Sequence, residues 1–188
     1  MRPVTYPSAA AVTTGRCLEV DRPTSADGPR YVPAPMPAAQ RDSFQEATRR
    51  EVLALRPELA AEHFRLLDAI WDQGDPVVLE LCRVRMATLM GAAAAQPERS
   101  PAAVAAGLTD DLVERLPGWP TDPAFTDTHR TALAFTEQFV IDHHGITDDH
   151  VQALEAALGA EGVVVLTTAL GVWDNQHRLD IALGVTAP

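Results

Sequence analysis

The chain has 188 residues, of which 46% are hydrophobic, and this is enough to form one packed domain. Its formal net charge of −11 would repel a phosphate backbone, and no stripe of Lys and Arg offsets that charge, so nucleic acid is not an expected partner. No uninterrupted apolar run reaches the roughly 18 to 20 residues that span a bilayer, and the first residues lack the apolar core of a signal peptide. We therefore expect a cytoplasmic protein with no membrane partner.

The first 37 residues are predicted to form an arm outside the helical domain. Seven of the 15 prolines of the chain fall within this segment, and so many prolines prevent a helix from propagating. The sequence thus predicts an arm over 1–37 and a helical domain over 38–188. We expect the arm either to be disordered or draped over the domain, or to reach across a subunit interface or cover a pocket.

The remaining residues have the composition and periodicity of an all-α protein. Ala and Leu are frequent, aromatic residues make up only 5%, and long stretches lack Gly and Pro. Together these features predict a bundle of about six to eight helices. The predicted helices cover residues 38–55, 58–71, 77–95, 102–106, 109–116, 127–143, 148–158 and 160–184.

The last of these helices changes character abruptly along its length. Residues 163–173 are almost entirely apolar, whereas residues 174–178 are polar. The β-branched run at 163–166 would by itself also suit a buried strand, because such side chains fit a pleated surface. The helical spacing of Leu166 and Leu170 favours a helix instead.

Several segments, in this order along the chain, carry a resemblance to a known family. They are ELCRVRMATLMG at residues 80–91, a short helix followed by Gly107-Leu108-Thr109, the segment 125–134, and a closing helix with Arg178-Leu179. This pattern resembles the carboxymuconolactone decarboxylase and alkylhydroperoxidase D-like family over roughly residues 40–185. The resemblance implies an all-α, multi-helix bundle of the alkylhydroperoxidase D-like type, assembled as a homo-oligomer, either a trimer or a hexamer.

The resemblance also implies a redox site that this chain lacks. Redox members of the family carry a CxxC pair, a histidine four residues beyond it and a glutamate one helix-length earlier. Here the glutamate is Glu80, but the cysteine positions hold Ala92 and Ala95 and the histidine position holds Arg99. Peroxide reduction needs a thiolate that attacks and a second thiol that resolves the product. Because alanine supplies neither, we do not expect thiol peroxidase activity.

The two cysteines of the chain do not replace the missing pair. Cys17 lies in the Pro-rich arm, and Cys82 lies in the middle of an apolar helix, about three turns before Ala92. Such different settings make a structural disulfide improbable. We expect neither a disulfide nor a substitute thiol.

Decarboxylase-like members act on acidic substrates by proton transfer without cysteines. The resemblance therefore implies a cofactor-free lyase, isomerase or cyclase that acts on a small acidic or polyketide-like metabolite. Glu80 and His177 are the candidate acid and base, because an apolar setting would raise the pKa of Glu80 and an imidazole can transfer a proton near neutral pH. Trp173 would offer a flat apolar contact, and Arg99 a bidentate grip on an anion.

The pocket is expected between the Glu80 helix and residues 173–177, with residues 92–95 forming a smooth apolar wall. Each candidate also has a structural interpretation. Glu80 could pair with Arg83 one turn on, and His177 could be a buried core histidine. Arg99 could stand in an exposed loop beside its prolines. The alternative function is a non-catalytic ligand-binding or scaffold protein on the same fold.

No metal or other cofactor is expected. The only cluster of metal-ligand residue types surrounds His143 and His144, where adjacent side chains at a helix end are expected to diverge. Histidines near a helix C-terminus, followed by acidic residues near the next N-terminus, complement the helix dipoles and explain the cluster. No nucleotide-binding or serine-hydrolase motif is present.

Overall fold

The computed structural model describes residues 48–92 and 99–185, where the regular secondary structure is helical. Seven α-helices and two short 3-10 turns, Leu116–Gly118 and His143–Gly145, follow one another in these residues. The helices are α1 (Arg49–Ala54), α2 (Pro57–Gln73), α3 (Pro76–Met90), α4 (Pro101–Ala105), α5 (Asp110–Glu114), α6 (Asp127–Ile141) and α7 (Asp148–Leu183). The predicted all-α class is confirmed. The arm predicted over 1–37 lies outside the described residues.

The central helix of the bundle is α3, which packs mainly against α6 and α7. Asp75 begins this helix by accepting hydrogen bonds from the backbone N–H groups of Val77 and Val78, at 2.9 and 3.1 Å. Side chains are buried on all sides of α3, as expected for a helix that is apolar around most of its circumference. The helix thus carries residue 80 into the core of the domain.

The end of α3 differs from the sequence-based prediction. We expected the helix to continue to about residue 95, but it ends at Met90, where Gly91 adopts a left-handed conformation with φ of 71°. The backbone N–H of Ala92 then donates to the carbonyl oxygen of Ala87 at 2.9 Å, closing the C-terminal turn. Ala92 is therefore outside the helix. The prediction was wrong because an alanine run of high helix propensity follows Gly91 and hides the stop signal.

The break predicted between the last two helices is found at Gly159. Its φ of 73° and ψ of 165° lie in a region that is nearly exclusive to glycine, and α7 kinks there. The two predicted segments therefore follow one another without an intervening loop. Residues 163–166 are helical, so the strand interpretation of that run is wrong.

By length and composition alone, α7 could cross a membrane, contrary to the expectation from the sequence. Its most apolar window of 18 residues has a mean hydropathy of 1.6, and 22% of that window is buried in the bundle. Glu161 is the single charged residue between Glu155 and Asp174, so this part of α7 is apolar enough for a membrane span. Core helices of soluble proteins can have the same length and composition, so these two properties are weak evidence for a membrane span.

Replacing Gly159 by alanine should lower the free energy of unfolding by about 1 to 3 kcal/mol, because the added Cβ forces a strained backbone. Gly171 is the matched control within the same helix. A Cβ at either glycine meets no heavy atom within 4 Å, so the two substitutions differ in backbone conformation and not in steric space. Gly171→Ala should stabilise the helix by up to about 1 kcal/mol. Equal effects in urea unfolding would contradict the strain at Gly159.

Candidate active site

A cavity of about 280 Å³ opens between α1, α2, α3, α7 and the start of α4. Its apolar wall contains Leu67, Trp71 and Trp173. The two indole rings have centroids 5.9 Å apart and are tilted by 45°. This wall would contact the flat carbon skeleton of a small molecule.

Arginines dominate the polar part of the wall. Arg49, Arg83 and Arg99 all line the cavity, whereas no Asp or Glu does so among the residues that the structure describes. The carboxylates that pair with these arginines stand back from the lining. The cavity therefore presents guanidinium groups to an incoming ligand and favours an anion.

Glu80 is fully buried behind this wall and is not a lining residue. Arg83 donates from Nε to Oε2 of Glu80 at 2.8 Å and from Nη2 to Oε1 at 2.7 Å. The structural interpretation, in which Glu80 pairs with Arg83, is thus the arrangement observed. Both carboxylate oxygens of Glu80 thus accept charge-assisted hydrogen bonds from one guanidinium group. This arrangement suits positioning of Arg83 better than proton transfer by Glu80.

The other two arginines are held by long-range pairs. Arg49 donates from Nε to Oδ1 of the buried Asp180 at 3.0 Å, which ties α1 to the end of α7. Nε of Arg99 lies 3.5 Å from Oδ1 of Asp110. The side chain of Arg99 is 23% exposed, so the expectation of an exposed loop is wrong for this residue. The bundle thereby collects three guanidinium groups from three separate parts of the chain.

His177 combines deep burial with a lack of hydrogen-bond partners. Its side chain is 2% exposed and lines the cavity, and neither ring nitrogen has a partner within the described part of the chain. Burial, and then the charges of Arg83 and Arg49, lower the pKa of His177 to about 4. The imidazole is therefore neutral at pH 7, with one N–H and one lone pair that a ligand in the cavity could satisfy.

Ala92, at one of the family's cysteine positions, does not line the cavity as predicted. Ala92 is buried, but against Ala87 and not along the cavity, because the chain leaves the helix at Gly91. Ala95 lies outside the described residues. Trp173, His177 and Arg99 are the sequence-predicted site residues that do line the cavity.

Sequence reasoning missed Arg49, Trp71 and Gln176, all of which line the cavity. Gln176 lies next to His177 in the polar segment 174–178, and this position could have drawn attention to it. Trp71 belongs to the apolar pattern of residues 58–71, and such a pattern does not distinguish a cavity residue from a core residue. Nothing in the local sequence distinguishes Arg49, because its place depends on a partner 131 residues away.

The buried Cys82 is a free thiol with no role in the cavity wall. Burial raises the pKa of Cys82 to about 12, against a smaller opposite effect of a hydrogen bond with Thr136. The reactive thiolate form is therefore scarce at neutral pH. This supports the expectation that Cys82 does not substitute for the missing cysteine pair.

His143 and His144 do not diverge as expected. Their rings lie against each other, with centroids 4.1 Å apart, in the 3-10 turn that follows α6. Among the described residues, no three His, Cys, Asp or Glu side chains are grouped to hold a metal ion. On α7, Nε of Arg178 donates to Oδ2 of Asp174 at 2.7 Å, as an ion pair one turn apart.

No protein-family model and no curated protein matches this chain. Two solved structures are similar in fold. A protein of unknown function from Agrobacterium tumefaciens, ATU0492, suggested to be the antioxidant defence protein AhpD, has a TM-score of 0.65 and 20% identity over 75% of this chain and 98% of its own. A cysteine-to-alanine variant of the debrominase Bmp8, in complex with 2,3,4-tribromopyrrole, has a TM-score of 0.61 and 17% identity over 72% of this chain and 74% of its own.

The low pKa of His177 predicts a pH dependence of stability. Unfolding restores the ordinary pKa of about 6.5, so between pH 6.5 and 4 the unfolded chain binds a proton that the native protein does not. The free energy of unfolding should therefore decrease as the pH is lowered from 6.5 to 4. From pH 7.5 to 5.0 the wild type should lose up to about 2 kcal/mol more than His177→Leu in urea unfolding. Equal losses would show that His177 titrates normally in the folded protein.

Proposed function

We propose that this chain, which has the alkylhydroperoxidase D-like fold, is a cofactor-free enzyme of the lyase, isomerase or cyclase type that acts on a small acidic metabolite by proton transfer. The observation that carries the proposal is His177, a buried neutral imidazole in the wall of an arginine-lined cavity, whose ring nitrogens have no hydrogen-bond partner among the described residues. Such a group is available to a ligand and is not committed to the core.

The walls of the cavity define the chemistry of the ligand. Guanidinium groups from Arg49, Arg83 and Arg99 can donate paired hydrogen bonds to a carboxylate. Trp71 and Trp173 would cover the carbon skeleton. A volume of about 280 Å³ lies at the lower end of the range for small-molecule sites, which favours a metabolite over a cofactor or peptide.

Substrate binding would activate His177 as a proton acceptor. In the free protein its pKa of about 4 makes the imidazole a weak base. Burial is the largest cause of this low pKa, and the charges of Arg83 and Arg49 add to it; a substrate carboxylate bound to these two groups would offset their charges but not the burial. The pKa of His177 should then rise towards neutrality, where general base catalysis is most effective. The base would gain strength only while substrate occupies the cavity.

Glu80 has a positioning role in this proposal. Its bidentate contact orients the Arg83 guanidinium towards the cavity, and its buried carboxylate balances the charge of that arginine. This role replaces the sequence-based hypothesis that Glu80 and His177 act as an acid and base pair. In the proposal, His177 transfers the proton and Glu80 holds Arg83, which binds the anion.

A non-catalytic ligand-binding protein is the second candidate, and the low pKa of His177 favours it, because a weak base suits hydrogen bonding better than proton abstraction. The similar debrominase acts on a small molecule and supports the enzyme instead. Proton exchange with solvent separates the two candidates, since a binding protein would hold the same acids without exchanging their hydrogens.

We also propose a soluble, cytoplasmic homo-oligomer, a trimer or a hexamer, in which apolar residues of α7 meet a second copy. Val164 is 64% exposed and Ile181 is 54% exposed on this helix. Polar residues of the same helix, Gln176, His177 and Asp180, are buried in the bundle, which supports a helix of a soluble domain over a lipid-embedded span.

Light scattering should give a mass that is three or six times 20.2 kDa, because burial of apolar residues such as Val164 stabilises the assembly. Val164→Glu should shift the distribution towards the monomer, since a charge would be buried at the interface. Asp149→Glu, at an exposed position that keeps its charge, is the control. A stable wild-type monomer would contradict the proposed assembly.

In deuterated water, the protein should exchange carbon-bound hydrogens of its substrate, because cofactor-free proton transfer equilibrates them with solvent. Proton NMR of a panel of small keto acids and unsaturated lactone acids would detect the loss of signal. His177→Asn should slow the exchange by about a hundredfold or more, the usual effect of removing an acid–base group. His144→Asn, at an exposed position outside the cavity, should leave the rate unchanged. Equal rates in the two variants would contradict the role of His177.

A further inference from the structure

We infer that Gln176, oriented by His63, recognises a hydroxyl group of the ligand, which narrows the substrate class from small acids to hydroxy acids. This inference rests on the proposed function, because it takes the arginine-lined cavity as the place where the acid binds. It adds a specificity-determining residue, Gln176, and a positioning residue, His63, that acts through it.

The two residues come from different helices. His63 is on α2 and Gln176 is on α7, and the Nε2 atoms of the two side chains lie 3.0 Å apart. Gln176 is 7% exposed and lines the cavity. Within the described part of the chain, this contact is the one hydrogen bond that its amide makes. The other end of the amide is therefore available to a ligand.

The protonation state of His63 determines whether the oxygen or the nitrogen of the Gln176 amide is available to the ligand. Two nitrogens can share a hydrogen bond only if one donates and the other accepts. Burial and the charge of Arg49 lower the pKa of His63, which keeps the ring neutral at pH 7. A neutral ring with its hydrogen on Nδ1 accepts at Nε2 from the Gln176 N–H. Because the amide oxygen and nitrogen diverge from one carbon, Oε1 of Gln176 then points away from His63 and remains an acceptor.

An acceptor at this position complements the rest of the wall. Arg49, Arg83 and Arg99 are donors only, so they satisfy a carboxylate and nothing that donates. A ligand hydroxyl needs an acceptor, and Gln176 supplies one besides the lone pair of His177, which the proposed function uses for proton transfer. A ligand ammonium would meet the same acceptor but would be repelled by the three guanidinium groups. The cavity therefore suits an anion that also carries a neutral O–H donor.

The preference of the cavity for acids with a hydroxyl group over acids without one should be measurable with simple probes. Benzoate and its 2-, 3- and 4-hydroxy isomers share a flat ring that fits the tryptophan wall and differ in the donor alone. Binding can be followed by tryptophan fluorescence, because Trp71 and Trp173 line the cavity. At least one hydroxy isomer should bind about tenfold more tightly than benzoate, since the analogue without the hydroxyl leaves a desolvated acceptor unpaired.

In Gln176→Leu, the ratio between the dissociation constants of benzoate and the preferred isomer should fall close to one. Asn175→Leu is the matched control, because Asn175 is an exposed amide next to Gln176 on the same helix and does not line the cavity. The control should keep the wild-type ratio. A preserved ratio in Gln176→Leu would overturn the inference.

Substitution of His63 tests the orientation of the amide. His63→Phe removes the acceptor and should reduce the ratio, whereas His63→Gln can still accept from Gln176 and should restore most of it. A purely structural role of His63 would not predict this rescue. The His63 variants also test the inference if Gln176→Leu fails to fold, and a ratio unchanged in His63→Phe would overturn the positioning role.

Failure of the inference and failure of the proposed function give different results. Equal wild-type binding of benzoate and all three hydroxybenzoates, weakened by Arg99→Gln, would overturn the hydroxyl recognition and support the anion-binding cavity. Absence of binding by all four acids would overturn both.

Discussion

The buried ion pair between Glu80 and Arg83 is the interaction on which the candidate site depends. An unpaired carboxylate at the centre of α3 would be prohibitively unstable, so Glu80 requires a cation that reaches it within the core. Arg83 meets this requirement from one turn further along the same helix, and its guanidinium also borders the cavity. The same charge lowers the pKa of the neighbouring His177. One local pair thus supplies one of the guanidinium groups of the wall and adds to the effect of burial on the pKa of the imidazole.

The kinked helix α7 connects this pair to the rest of the domain. Before residue 174 it is apolar and partly exposed. Beyond that point the buried residues Gln176, His177 and Asp180 lie on one side, because Asp180 is one turn beyond the other two. Asp180 anchors Arg49, which brings the short helix α1 to the cavity. The helix α1 contributes no buried residue of its own, and the pair of Arg49 with Asp180 ties it to the end of α7.

The fold is shared with a protein of unknown function and with a debrominase. In the described part of this chain, the cysteine Cys82 is a buried thiol with a raised pKa. What the cavity contains instead is a set of guanidinium groups around a neutral imidazole. Function therefore depends on the side chains placed in the cavity and not on the arrangement of helices around it.

The sequence by itself determined the all-α class and the break at Gly159, because helix propensity and glycine conformations depend on near neighbours. It offered the pair of Glu80 with Arg83, one turn apart, as one of two interpretations. It also indicated His177. Only the tertiary structure placed Arg49 in the cavity wall and joined His63 to Gln176, residues 113 positions apart. Periodicity shows which face of a helix is apolar, but not which helix packs against it, and that packing decides which polar side chains meet in a cavity.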